Sequence, residues 1–244
     1  MNICSQFRNT VNSYPHQTPQ TYGNPSTRGS SVNHKQWGTR TTHSPTTLPR
    51  PKAASGYSPT ELLSGFSQKW GTMNCVTVAG IKAAMQRFGG PERVYLSIEA
   101  TPTGFNVRMR DNPFKTYHVT HAEIQYASNR SGFRGDNQKI LNEANFMYAV
   151  SAKRAQHENN DGYASRSFAA AVSSLDSWEY TQEGLDRLGL RNYVQRSTAW
   201  QLINGVPGVM DHNNHVFTVL NGRTDSYGRS GYQPNPQASA LILR

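Results

Sequence analysis

The chain has 244 residues, and its 25 Lys and Arg outnumber its 15 Asp and Glu for a formal net charge of +10 at pH 7. Only two cysteines, Cys4 and Cys75, are present, and no run of about 18 apolar residues occurs. A disulfide framework, a paired-cysteine zinc site and a membrane-spanning helix are therefore not expected. The charge is segregated. Residues 1 to 60 contain no acid and carry Arg8, Arg28, Lys35, Arg40, Arg50 and Lys52, and the first acidic residue is Glu61.

Residues 1–57 are rich in Ser, Thr, Asn, Gln and Pro and hold too little apolar surface to offset the entropy of ordering them, so a disordered basic leader is expected there. It lacks dense Lys/Arg clusters, so nucleic acid is not an expected partner. No apolar h-region stands at the start, and Asn2 occupies the position where N-myristoylation needs glycine. Order is expected over 58–244. Ser58-Pro59-Thr60-Glu61 combines an N-cap, a first-turn proline and a capping-box acid, which predicts a short helix through Leu62 and Leu63.

An irregular loop from Gly65 then leads into a helix that opens at Cys75. It is small and apolar on nearly every side through Phe88, and Gly89 is placed to end it; such a helix is buried. Alternation predicts strands over 93–100 and 105–110 around a turn at Thr101-Pro102-Thr103-Gly104, and a third strand over 117–119. Thr120-His121-Ala122-Glu123 is a capping box. The pattern over 136–158 is the longest helix, and shorter ones are expected at 167–175, 181–188 and 198–203. From Val206 the character turns to strand: 208–210, 215–220, a return after the Asn221-Gly222 turn, and 238–243. The expected class is α+β, with a helical N-terminal part packed on a C-terminal antiparallel sheet.

A cysteine in the first turn of a buried helix meets unpaired N–H groups and the helix dipole, which favour a thiolate. Its plainer reading is a small buried hydrophobe. A nucleophile needs a base, and the histidines outside the leader are His118, His121, His157, His212 and His215. His215 begins an alternating strand, which fixes its direction, and follows Cys75 by 140 residues. Asp211, His212 and His215 make a weak metal set, so no metal is expected; no Gly-rich phosphate loop is present, so no cofactor is expected.

Gln68 before the cysteine, Cys75 opening a buried helix, His215 heading a strand, and the run Asp225-Ser226-Tyr227-Gly228 together resemble a papain-like or calpain-like cysteine protease. The leader, opening MNICSQ, resembles the secretion leaders of type III effectors. The resemblance implies a papain-like fold over 58–244, Cys75 as nucleophile, His215 as base, Asp225 orienting His215 and Gln68 donating to the oxyanion. It implies a monomer delivered by a bacterial type III system into a host cell, a secretion chaperone on the leader, and a host protein as substrate. Trp70 and Tyr227 are candidates to line the cleft. The aromatic that usually follows the nucleophile is Val76, and the Gln spacing is one residue longer than usual. If Asn221-Gly222 is a two-residue turn, Thr218 pairs with Asp225 and a regular strand puts Asp225 and His215 on opposite faces. A bulge near 221–223 would bring them together; otherwise Gln233 or Asn235 orients the imidazole. A transglutaminase-like or deamidase acyl transferase, and a catalytically silent binding protein, are the alternatives.

Overall fold

The computed structural model describes residues 56–244, and the expected leader, with Cys4, lies outside them apart from Gly56 and Tyr57. The described chain is mixed α+β with antiparallel sheets. Helix α1 (Pro59–Gly65) starts as the sequence implies: the Ser58 hydroxyl accepts from Glu61 N and the Glu61 carboxylate accepts from Ser58 N. Helix α2 (Cys75–Phe88) is buried at every position from Cys75 to Met85. Gly89 stops it with φ 98° and ψ −141°, a conformation open to glycine, while its N–H still donates to Met85 O at 2.9 Å.

A helical turn, α3 (Pro91–Val94), follows because Pro91 stands at its first position. The strand expected from residue 93 therefore begins later. Strands β1 (Ser97–Thr101), β2 (Gly104–Met109) and β3 (Asn112–Thr120) form an antiparallel meander. Thr120 caps α4 (His121–Ser131) with the expected box to Glu123. Asn137 caps α5 (Gln138–Glu158), whose inner face from Ile140 to Ala155 packs into the main core. The helices α6 (Phe168–Ser174) and α7 (Glu183–Arg187) complete the helical part. Where α2 meets α7 the backbones touch: a Cβ on Gly184 would lie 2.3 Å from Val76 O, and one on Gly80 2.8 Å from Gly184 C.

The C-terminal part holds β4 (Val194–Thr198), α8 (Ala199–Ile203), β5 (Gly208–His212), β6 (His215–Phe217), β7 (Val219–Leu220), β8 (Arg223–Ser226), β9 (Arg229–Ser230) and β10 (Ser239–Leu243). One sheet runs β4-β10-β5-β6 and another β7-β8-β9. Three two-residue hairpins join β5 to β6, β7 to β8 and β8 to β9. Their turns, Asn213-Asn214, Asn221-Gly222 and Tyr227-Gly228, all have positive φ at both residues, as a type I′ turn requires.

The strand expected as continuous over 215–220 is interrupted at Thr218, where the chain leaves its pairing with β5 and takes up pairing with β8. Residues 216 to 220 are consequently all buried, with no alternation. Asp225 N donates to Thr218 O at 2.9 Å, the pairing a two-residue turn dictates. The irregularity thus sits at Thr218, and Asn221–Arg223 is a regular tight turn, not a bulge.

Candidate functional site

Cys75 opens α2 and is 6 % exposed. Its preceding residue, Asn74, does not cap the helix, because the side chain is engaged elsewhere: Nδ2 donates to Ser131 O at 2.9 Å and Oδ1 accepts from Thr72 Oγ1 at 3.1 Å. Asp176 fixes the same loop by accepting from Met73 N at 2.5 Å. The loop ahead of α2 is therefore held by Ser131, Thr72 and Asp176 and not by an Asn74 cap.

Residues 75, 78, 79 and 82 are spaced three, four and seven apart, so they form one stripe along α2. That stripe faces the C-terminal hairpins: α2 packs on β6, and Val78 and Ala79 line a small cavity together with Gln68, His215, Val216, Phe217, Asp225 and Tyr227. Three of the four expected site residues, Gln68, His215 and Asp225, thus share one enclosure with the helix face that carries the fourth, Cys75.

His215 is half-buried in the first position of β6. Its proton affinity is lowered, by burial first, with the negative charge of Asp225 pulling the other way. The imidazole is therefore held neutral near pH 7, in the form that accepts a proton. Asp225 is buried in β8; its Oδ1 accepts from Gly228 N at 2.8 Å and its Oδ2 lies 2.6 Å from Lys82 Nζ. Gln68 Nε2 donates to Thr72 O at 2.5 Å, which uses one of its two N–H groups and leaves the amide oriented with the second.

Tyr227 lies at the left-handed first position of the β8–β9 turn, φ 52°, a costly conformation for a tyrosine. The turn places its ring over His215, with centroids 5.3 Å apart and planes within 23°, and Trp70 contacts the same ring at a tilt, centroids 5.0 Å apart. Outside these rings an open groove of about 220 Å3 is lined by Trp70, His212, Phe217, Ser226, Tyr227 and Tyr232 among others, and it reaches both His215 and Asp225. Trp70 is 73 % exposed in it.

The other sequence candidates lie elsewhere. Gln233 and Asn235 are exposed, the Asn235 side chain accepting from Gln237 N, and neither lines the cavity. Asp211 accepts from Thr181 Oγ1, and among the described residues no group of three or more His, Cys, Asp or Glu side chains is gathered to hold a metal. His118 is bonded to Asn106 and Thr103, and His121 packs edge-on against Phe105. His157 packs edge-on against Tyr117. Among the described residues no helix is long and apolar enough to cross a membrane.

Sequence reasoning missed Lys82. The signal for it was present: Lys82 is the single charge in the apolar stretch 75–85, and a cation there must be paired if the stretch is buried. No family model matches the chain, and neither a curated protein nor a solved structure matches it.

Proposed function

We propose that this chain is a papain-like, cysteine-dependent amide hydrolase. The observation that carries this reading is the single stripe of α2 that begins at Cys75 and faces the enclosure shared by His215, Asp225 and Gln68. In the proposed reaction the neutral His215 takes the Cys75 proton as sulfur attacks an amide carbonyl, and Asp225 stabilises the imidazolium that results. The Cys75 N–H and the second N–H of Gln68 donate to the oxyanion, each such donor being worth roughly 2.7–4 kcal/mol of barrier. His215 then protonates the leaving amine, and water, activated by the same imidazole, hydrolyses the thioester. The groove past Trp70 and Tyr227 receives the substrate chain. On the strength of the leader's resemblance, the substrate is a host protein met after type III secretion.

A peptide-based electrophile tests the reading. It is expected to label Cys75 and not Cys4, and His215→Ala should slow that labelling by about 10²-fold or more, the usual weight of a general base. Equal labelling of both cysteines, or no effect of the histidine, would refute it. Product mass separates the acyl acceptors: hydrolysis of a peptide bond splits the chain, whereas a deamidase, acting through the same residues, adds about one dalton to a glutamine.

A further inference from the structure

Lys82 is the one charged residue among the eleven buried positions of α2. It is 0 % exposed, stands two turns beyond Cys75 on the same stripe, and among the described residues meets two groups suited to a cation: Asp225 Oδ2 at 2.6 Å and the ring of Phe66 at 5.1 Å. Burying an ammonium costs several kcal/mol, and an apolar residue in place of a buried pair is often neutral or stabilising. Stability alone therefore gives no reason for a lysine here.

We infer that Lys82 is a positioning residue, which holds the Asp225 carboxylate beside His215 from the very helix that presents Cys75. This role rests on the hydrolase reading of those three residues. The carboxylate is gripped from two sides, by Lys82 on α2 and by the Gly228 N–H in the β8–β9 turn. Burial lowers the proton affinity of both Lys82 and His215, and Asp225 is the charge that opposes it at each. The other titratable groups placed at the ring are Tyr227, stacked on it, and, on the hydrolase reading, Cys75 of α2. Without Lys82 the buried carboxylate would keep the Gly228 N–H but no cation, and burial without an opposite charge favours its protonated form. His215 would then lose the charge that opposes the effect of its burial.

The test is the titration of the His215 ring, followed by NMR in the full chain for the wild type, Lys82→Met, Asp225→Asn, the double variant and Lys82→Arg, with circular dichroism to verify folding. Lys82→Met should lower the His215 midpoint by about one pH unit, the size of one nearby opposite charge. Asp225→Asn should lower it equally, the double variant should add nothing, and Lys82→Arg should restore the wild-type midpoint. An unchanged or raised midpoint in folded Lys82→Met overturns the role, since loss of a cation beside a still-ionised Asp225 moves it upward. Where Lys82→Met does not fold, the double variant carries no unpaired buried charge, and a midpoint different from that of Asp225→Asn overturns the role. If Cys75 of the wild type resists the electrophile while His215 titrates as stated, the hydrolase reading fails and the hold of Lys82 on Asp225 stands.

Discussion

Replacing Gly184 by alanine sets two forces of opposite sign against each other. Alanine is the better helix former by about 1 kcal/mol, so propensity alone favours the change in α7. The new methyl, however, would lie 2.3 Å from Val76 O and 2.9 Å from Val76 C, both backbone atoms of α2 that cannot rotate away. Reaching even a 3.0 Å contact requires the two helices to part by about 0.7 Å, and overpacking of this kind costs about 1–3 kcal/mol. We expect the clash to win, with a net loss of up to about 2 kcal/mol and a melting temperature lower by up to about 8 °C for a domain of this size. Because Val76 adjoins Cys75, the displacement falls on the first turn of α2, and a shift near 1 Å in a reacting group can cost about 10²-fold in rate. Thermal unfolding and Cys75 labelling measure the two effects. Gly162, with φ +72° and no atom within 4 Å of an added methyl, is the control whose alanine variant pays only backbone strain. A Gly184→Ala protein as stable as the wild type, labelled at the wild-type rate, would show that α2 is not set in place by this crossing.

The remaining predictions concern charge and the groove. Glu179 is buried beside Arg187, whose Nη1 lies 2.5 Å away, yet its carboxyl is pushed up to about 8, by burial first, with Glu183 and Asp161 adding to it against the pull of Arg187. The folded state therefore keeps, between about pH 4.5 and 8, a proton that the unfolded chain has released, and stability must fall as pH rises through that window. Urea midpoints at pH 5 and pH 8 should show Glu179→Gln losing less than the wild type, by on the order of 3 kcal/mol; a parallel response of both proteins would contradict it. Trp70 is exposed and contacts Tyr227, so Trp70→Ala should alter stability by no more than about 0.5 kcal/mol. It should weaken the reversible binding step of a peptide electrophile several-fold while leaving the bond-forming step intact, and an unchanged binding step would remove Trp70 from the substrate path.

The elements easiest to read in the sequence are those whose signal is local. The capping boxes at Ser58 and Thr120, the apolar stretch after Cys75 and the Asn221-Gly222 turn each depend on residues within a few positions of one another, and each appears where the pattern implies. Strand β4 left no such mark, because Val194–Thr198 does not alternate and forms only through pairing with β10. The break at Thr218 is likewise invisible locally. The β-branched and apolar run Val216-Phe217-Thr218-Val219-Leu220 fits a regular strand equally well, and the exchange of partners that bends it is a tertiary event. That break decides the site, because a regular strand would turn Asp225 away from His215. The sequence pattern supplied both residues, while the reason they meet lies in a sheet that ends early.

Tyr227 draws two kinds of selection against each other. A glycine at that position would relax a hairpin now held in a left-handed geometry that a tyrosine adopts at a cost, yet it would strip the imidazole of its aromatic cover and unseat the indole beyond it. A sturdier hairpin would therefore come with a bare histidine, and the strain in this turn accompanies the shelter the ring gives.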